Sequence, residues 1–341
     1  MVKPYKQTLT ASSEQGTYVG IAKEDKIKIP RDYLLQRIYL DIRGTMDITV
    51  GVSALVEDAG QRLLSEIRIE MTGGKTGAKT AVNVSGVDLY FLNFYDYAEG
   101  LERVVPTAIA NGVAVSMQFC LDFRLAKNDP DDYSIAIPLY DKSEVTLALK
   151  WIAAATGYGT NTSNWSLTAK VTLFQGIPEN AKEFEAARTN PLMTLVSSEF
   201  NMAAGAAQKE KRNTDIGVGD LLRRLFIIAR TSANLRSDVE FDWLSLKYNL
   251  NDKVEILLDE VDWDALGLED ESDYSLINYD GNRAIKGLIV LDFARGAFDE
   301  KGRVFGLDTT QMKSGDMKLE IYRNNASSII RYIAENIEIV K

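Results

Sequence analysis

Apolar and polar residues alternate along much of the chain with a period of two. In the run 38–43, isoleucine and leucine alternate with Tyr39, Asp41 and Arg43. Side chains two residues apart share one face of a β-strand, so this pattern predicts a strand with one buried face. Further strands are predicted in VAVSMQFCLDFRL, YSIAIPLY, EVTLALKWIAA and WSLTAKVTLF, and later in RRLFIIART, DVEFDWLSLKYN, KVEILLDEV, AIKGLIVLDFARG, GDMKLEIYR and SIIRYIAENIEIV.

Few segments predict a helix. A helix is predicted at 54–64, a short one interrupted by Pro106 at 98–112, and a helical turn at 178–191. The aromatic-rich run VDLYFLNFYDY (87–97) follows the turn TGGKTGAK and predicts another strand, because aromatic residues favour strands. Many short strands separated by turn residues are typical of an antiparallel sandwich.

The pattern also repeats within the chain. YLLQRIYLDIR (33–43) returns as DLLRRLFIIAR (220–230), FCLDFRL (119–125) as IVLDFAR (289–295), and KSEVTLAL (142–149) as KSGDMKLEI (313–321), always in the same order. The spacing shrinks along the chain, which indicates shorter loops in the second copy, since loops tolerate length changes. The repeat predicts one domain per copy: an N-terminal arm at 1–17, a first domain at 18–177, a linker at 178–192 and a second domain at 193–341.

Eight strands per copy is the number found in a jelly roll. The predicted fold class is therefore all-β: two tandem eight-stranded antiparallel jelly rolls, with a few short helices in the connecting loops.

Composition narrows the possible functions. The net charge of −10 argues against specific nucleic acid binding, which requires clustered Lys and Arg. The chain contains no histidine, so a Ser-His-Asp triad, a Cys-His dyad and a His-ligated zinc site are excluded. Its single cysteine, Cys120, lies in an apolar alternating run and is interpreted as a core residue. We expect neither a secretion signal nor a membrane-spanning segment.

Two glycine-rich segments and one acidic segment resemble known binding motifs. TGGKTGAKT (72–80) lacks the first glycine of a phosphate-binding loop, and GYGTNT (157–162) lacks the third glycine of a dinucleotide fingerprint, so both are interpreted as turns. In the acidic stretch 259–273, carboxylates stand at spacings similar to those of a calcium-binding EF-hand loop. A solvated loop is the simpler interpretation; the candidate metal ligands are Asp262, Asp264, Asp270 and Asp273.

Two further groups have simple structural explanations. Asp122 and Asp292 occupy matching places in the repeat, which fits a shared role in the fold better than acid–base catalysis. The aromatic residues of 90–97 could stack on sugars, but we expect them to divide between the core and a subunit interface.

The whole layout resembles the double jelly roll major capsid proteins of tailless icosahedral viruses, the lineage of adenovirus hexon, and in particular their compact bacterial and archaeal virus members. The resemblance is carried by the ordered duplication, by RIYLDIRGTMDITV and its echo RRLFIIARTSANL, by SEIRIEMTGG followed by VSGVDLYFL, and by WLSLKYNLNDKVEIL.

This resemblance implies a structural virion protein, not an enzyme, that requires no cofactor and forms pseudo-hexagonal homotrimers in an icosahedral shell. It would be made in the host cytoplasm and contact other capsomers, penton or minor capsid proteins, and an internal membrane. We expect the arm, with Lys3, Tyr5 and Lys6, to be an assembly contact. A tandem jelly-roll protein that binds or acts on carbohydrates, and an enzyme that uses a carboxylate pair, remain as alternatives.

Overall fold

The computed structural model describes residues 2–10, 17–49, 57–74, 77–97, 103–104, 109–127, 129–202, 210–250, 253–273, 285–294, 306–323 and 328–338. These residues form two compact units, of which the first runs up to Thr194 and the second spans Leu195–Glu338. The division lies close to the predicted linker at 178–192.

The first unit contains two antiparallel sheets. Its strands are β1 (Val2–Thr10), β2 (Lys23–Lys28), β3 (Leu34–Ile48), β4 (Leu64–Thr72), β5 (Lys79–Val84), β6 (Arg103–Val104), β7 (Ala110–Asp122), β8 (Ile137–Pro138), β9 (Glu144–Trp151) and β10 (Thr162–Pro178). One sheet has the order β1-β10-β3-β7-β6, with β8 paired to β3, and the other contains β2-β9-β4-β5.

The register of the central strands explains the alternating sequence. Leu40 on β3 lies between Val171 on β10 and Phe119 on β7, and all three side chains are buried. The neighbouring residue Asp41 points to the other face, where it contacts Arg43. The predicted half-buried strand at 38–43 is therefore confirmed, because the period of two places whole apolar rows on the core face.

Short helices and turns connect these strands. The helices of the first unit are α1 (Gly86–Tyr97), α2 (Ala154–Gly157) and α3 (Ala181–Ala187), and short 3₁₀ helices span Gln61–Leu63 and Leu139–Asp141. Asn180 caps α3 by accepting a hydrogen bond from the Glu183 backbone N–H at 3.1 Å. The helical turn predicted at 178–191 is thus confirmed.

The second unit is built in the same way. Its strands are β11 (Leu192–Met202), which begins just before the unit boundary, β12 (Glu210–Asp215), β13 (Leu221–Thr231), β14 (Phe241–Leu250), β15 (Lys253–Asp262), β16 (Leu288–Asp292), β17 (Leu307–Asp308), β18 (Met317–Arg323) and β19 (Ser328–Glu338), with one helix, α4 (Trp263–Asp273). One sheet contains β11-β19-β13-β16, with β17 paired to β13, and the other is β12-β18-β14-β15.

Both units therefore share one strand order. If the eight long strands of each unit are numbered along the chain, the first sheet reads one-eight-three-six and the second reads two-seven-four-five in both units. This is the order expected for a jelly roll, in which two Greek-key sheets enclose one core. In the second unit that core includes Leu225, Ile227 and Trp263. The predicted fold class of two tandem jelly rolls is confirmed.

Several local predictions are wrong. Residues 87–97 form helix α1 rather than a strand. A Ser85–Asp88 capping pair starts the helix, and nine of its twelve residues are buried. The helix predicted at 54–64 is also wrong where the structure describes it, from residue 57 onward. There the chain forms a turn and one 3₁₀ turn, and β4 then begins at Leu64. YSIAIPLY contributes only the two-residue strand β8. Most of 98–112 lies outside the described residues.

Candidate assembly surface

The residues predicted to form an N-terminal arm include a strand of the first jelly roll. β1 pairs along its described length with β10, from Val2 opposite Pro178 to Thr10 opposite Lys170. It is the first of the eight long strands, so residues 2–10 of the predicted arm belong to the first domain. The difference arises because the polar, turn-rich composition of this segment does not indicate its partner strand, which lies 160 to 176 residues away in the sequence.

Three side chains in the first half of β1 are accessible, as an assembly contact requires. Lys3 and Lys6 are exposed, and Tyr5 is 37% exposed. Tyr5 contacts the edge of the Tyr33 ring at a centroid distance of 5.0 Å, and the Lys6 Nζ lies 5.1 Å from the centre of the Phe174 ring. β1 thus presents Lys3 and Tyr5 on one face and Lys6 on the other, at the edge of its sheet.

The acidic stretch 259–273 forms the end of a strand and a helix, not the predicted solvated loop. β15 ends at Asp262, and Asp262 Oδ1 then accepts hydrogen bonds from the backbone N–H groups of Asp264 and Ala265, at 2.9 and 3.0 Å. Asp262 therefore acts as the N-terminal cap of α4. Acidic residues near a helix N-terminus are also favoured by the helix dipole.

The candidate metal ligands are used for different purposes. Asp270 is 5% exposed, and its Oδ2 accepts a 2.6 Å hydrogen bond from the Val290 backbone N–H, which ties α4 to β16. Asp264 stands in the first turn of the helix, and Asp273 is its last residue. In the part of the chain that the structure describes, no group of three or more potential ligands could hold a metal ion.

Asp122 is the centre of a buried network in the first unit. Its Oδ2 accepts hydrogen bonds from Tyr97 Oη at 2.6 Å and from Arg124 Nη2 at 2.6 Å, and its Oδ1 accepts from Arg124 Nε at 3.0 Å. Lys127 Nζ donates to the Asp122 carbonyl at 2.7 Å. Burial alone would raise the pKa of Asp122, but the charges of Lys127 and Arg124 and the hydrogen bonds outweigh burial and lower it. The carboxylate is a structural anion that fixes α1 to β7.

Cys120 lies beside this network and is buried, as predicted. Desolvation is the main cause that raises the pKa of its thiol to about 12. A thiol with such a pKa holds almost no thiolate at neutral pH, so the interpretation as a core residue rather than a nucleophile is supported. The nearby aromatic residues Phe91, Phe94 and Tyr95 of α1 are also buried, in agreement with the predicted core role.

The repeat places equivalent Arg–Asp pairs in the two units. Arg37 lies opposite Asp122 in the β3–β7 register, and Arg224 lies opposite Asp292 in the β13–β16 register. Asp292 Oδ1 accepts a hydrogen bond from the Ala294 backbone N–H at 2.7 Å. Each aspartate therefore serves its own jelly roll, as the matched positions in the sequence suggested.

Each arginine also lies opposite a residue on its second neighbouring strand, and that residue differs between the two copies. Arg37 lies opposite Phe174, and its guanidinium carbon is 4.4 Å from the centre of that ring. Arg224 lies opposite Glu335, whose buried carboxylate binds Arg224 and also Arg223, the latter at 2.7 Å. Sequence reasoning did not find Glu335. Its position directly after the apolar residues Ile333 and Ala334 was the one local signal.

The glycine-rich loop 72–74 has a steric explanation. Gly74 has a φ of 68°, and a Cβ there would lie 2.1 Å from the Asp141 Oδ2. Glycine is required for this turn between β4 and β5, so a phosphate is not needed to explain it. GYGTNT likewise lies in the turn between α2 and β10.

β15 presents a surface that the sequence analysis did not identify. Val254, Ile256 and Leu257 are 64%, 50% and 37% exposed on this edge strand. Exposed side chains of Glu255, Asp259 and Glu260 accompany them. The alternating pattern predicted the strand but not that it would lie at the edge of its sheet.

None of the helices in the described residues is long and apolar enough to cross a membrane.

Comparison of the fold with solved structures defines its class. The chain has the double jelly-roll fold of viral major capsid proteins, and the matches cover almost all of it. It is similar to the STIV major capsid protein, from Sulfolobus turreted icosahedral virus, with a TM-score of 0.74 and 17% identity over 99% of this chain and 97% of that chain. It is also similar to the PBCV-1 virus capsid (TM-score 0.64, 13% identity, 99% and 94% covered) and to the major capsid protein P2 of bacteriophage PM2 (TM-score 0.57, 12% identity, 99% and 98% covered).

Neither the comparison with protein-family models nor that with curated protein sequences finds a match. The relationship is therefore one of fold, at identities of 17% or less.

Proposed function

We propose that this chain is the major capsid protein of an icosahedral virus, a structural protein of the virion that assembles into pseudo-hexagonal homotrimers. The observation that carries the proposal is the shared strand order of the two units, together with capsid proteins that match nearly the whole chain in fold.

The duplicated fold suits a hexagonal lattice. Three copies of a chain with two similar units give a ring of six similar units, while the assembly itself needs only threefold symmetry. Such a ring can be surrounded by six others in a continuous shell. Within the proposal, the further partners are penton or minor capsid proteins and an internal membrane.

A structural role also fits the chemistry of the described residues. The carboxylates that matched in the repeat are engaged by neighbouring backbone and side-chain donors. The low-pKa Asp122 and the high-pKa Cys120 are both far from the values that suit a general acid or a nucleophile at neutral pH. The proposal therefore includes no enzymatic activity.

The first test is the oligomeric state of the purified chain. Size-exclusion chromatography with light scattering should give a species of three times 37.9 kDa. Negative-stain electron microscopy of that fraction should show six-sided particles. A chain that is folded by circular dichroism but remains monomeric at micromolar and higher protein concentrations would contradict the proposal.

A further inference from the structure

β15 is an edge strand that exposes an apolar surface. Among the residues that the structure describes, it pairs with β14 on one side and with no strand on the other. Its exposed side chains include Val254, Ile256 and Leu257. An exposed apolar edge strand is a template for association with another chain, and soluble proteins normally block it with charge, proline or a covering segment.

β2, an edge strand of the first unit, shows what such protection looks like. Its sequence KEDKIK is charged at five of six positions, and its apolar residue, Ile27, is buried. Lys23 binds Asp25 at 2.9 Å, and Lys26 lies 3.9 Å from Glu24. The equivalent strand of the second unit, β12, is EKRNTD, which is similarly rich in charge. β15 thus differs from β2 in exposing several apolar side chains.

The charge of β15 indicates what can cover it. Glu255, Asp259 and Glu260 are exposed among its apolar residues. Two β15 strands placed together would oppose these carboxylates, which disfavours a symmetric pairing of β15 with itself. The partner surface should instead be basic, with apolar or aromatic groups.

β1 has this character. It is the end strand of its sheet, with Lys3, Tyr5 and Lys6 accessible. We propose that β15 of one copy docks on β1 of a second copy, with Val254 and Ile256 against the Tyr5 region and the carboxylates of β15 near Lys3 and Lys6. This inference rests on the proposed function and names the surfaces through which the subunits associate.

The two surfaces suit a closed ring. A trimer needs a heterologous interface, in which two different patches of each chain meet head to tail. β1 and β15 belong to different units of the chain, so each copy offers one of each. Pro4 has no N–H and removes a backbone donor from β1. The contact therefore depends on side chains more than on a continuous hydrogen-bond ladder.

Charge reversal tests the pairing. The double variants Lys3→Glu/Lys6→Glu and Glu255→Lys/Asp259→Lys should each raise the concentration needed for half-maximal trimer formation by about tenfold or more, because like charges then face each other. The quadruple variant should recover most of the loss. Lys26→Glu/Lys28→Glu on β2 is the matched control and should assemble like the unaltered chain. Circular dichroism checks that every variant is folded.

Cross-linking gives a direct readout that does not depend on affinity. The native cysteine is buried, so Tyr5→Cys/Ile256→Cys introduces the two accessible thiols. A flexible bismaleimide should join chains into covalent dimers and trimers on a denaturing gel, and each single variant should give none. Tyr5→Cys/Val239→Cys, whose second thiol replaces a 68% exposed valine in a loop, should also give none.

The outcomes separate this inference from the proposed function. If the unaltered chain is trimeric but charge reversal on either strand has no effect and no cross-link forms, the β1–β15 contact is wrong and the capsid proposal stands. If the unaltered chain is a folded monomer, the proposed function fails first. Weakening by one double variant without recovery in the quadruple variant would show that β1 and β15 do not face each other.

Discussion

The buried Asp122–Arg124 pair allows a sharp test of how the first jelly roll is stabilised. The change is Asp122→Asn, which keeps the size of the side chain and removes its charge. In the native chain the two side chains are 1% and 4% exposed, and Tyr97 and Lys127 complete the network. The variant leaves the Arg124 guanidinium buried without its anion.

The expected loss is large. Breaking a buried ion pair by removing one partner typically costs about 3–5 kcal/mol, because the remaining charge stays desolvated. Asn can still accept the Tyr97 hydrogen bond, so we expect about 3 kcal/mol, at the lower end of that range. A loss of this size is a substantial part of the stability of a domain.

Asp41→Asn is the matched control. Asp41 and Arg43 have the same spacing of two residues, and Arg43 Nε contacts Asp41 Oδ1 at 2.8 Å, but the side chains are 21% and 57% exposed. Exposed pairs contribute about 0–1 kcal/mol. Burial is therefore the main difference between the two variants.

Urea denaturation, followed by circular dichroism at one protein concentration, measures both variants. The pKa of Asp122 is lowered on folding, so its charge contributes stability above the unfolded pKa, and this contribution is lost as the pH falls through the folded pKa. The difference between wild type and Asp122→Asn should be constant from pH 7 to about pH 4 and shrink below it. A loss below about 1 kcal/mol at pH 7, or one equal to that of Asp41→Asn, would refute the reasoning.

Three further predictions concern other parts of the chain. In Gly44→Ala the new Cβ would lie 1.8 Å from the Ser166 carbonyl oxygen, so we expect a loss of about 1–3 kcal/mol in urea denaturation, whereas Gly217→Ala, with open space around it, should be near neutral. Cys120 should react with a maleimide at pH 8 only after unfolding, because burial raises its pKa to about 12; rapid labelling of the native chain would contradict this assignment. Millimolar Ca²⁺ should not raise the melting temperature, because Asp262 caps α4 and Asp270 holds β16; a clear rise that Asp264→Asn abolishes would restore the metal-site hypothesis.

The repeat made most of the architecture predictable. The matched segments at 33–43 and 220–230 are both the third long strand of their unit, and those at 142–149 and 313–321 both belong to the seventh. Core positions on these strands must keep their alternation, so the similarity survives there. The segment of β1 was assigned to an arm because it is polar, and the ladder with β10 that places it in the first sheet leaves no local pattern.

Helix α1 shows where propensity fails. Its aromatic residues favour a strand in isolation, but α1 is buried on nearly every side, so no amphipathic period appears in its sequence. The local signal was the Ser85-x-x-Asp88 capping pair. The exposed surface of β15 could not be predicted either, because a strand pattern does not indicate whether the strand lies at the edge of its sheet.

The different partners of Arg37 and Arg224 illustrate what duplication permits. At the same place in the jelly roll, Arg37 packs on the Phe174 ring, whereas Arg224 binds the Glu335 carboxylate and packs on the Phe226 ring. A sixfold ring of identical chains would repeat every substitution at six places, whereas the proposed trimer repeats it at three. Each half of the chain can therefore acquire its own substitutions at equivalent positions, and neighbouring jelly rolls of one trimer can evolve different contacts.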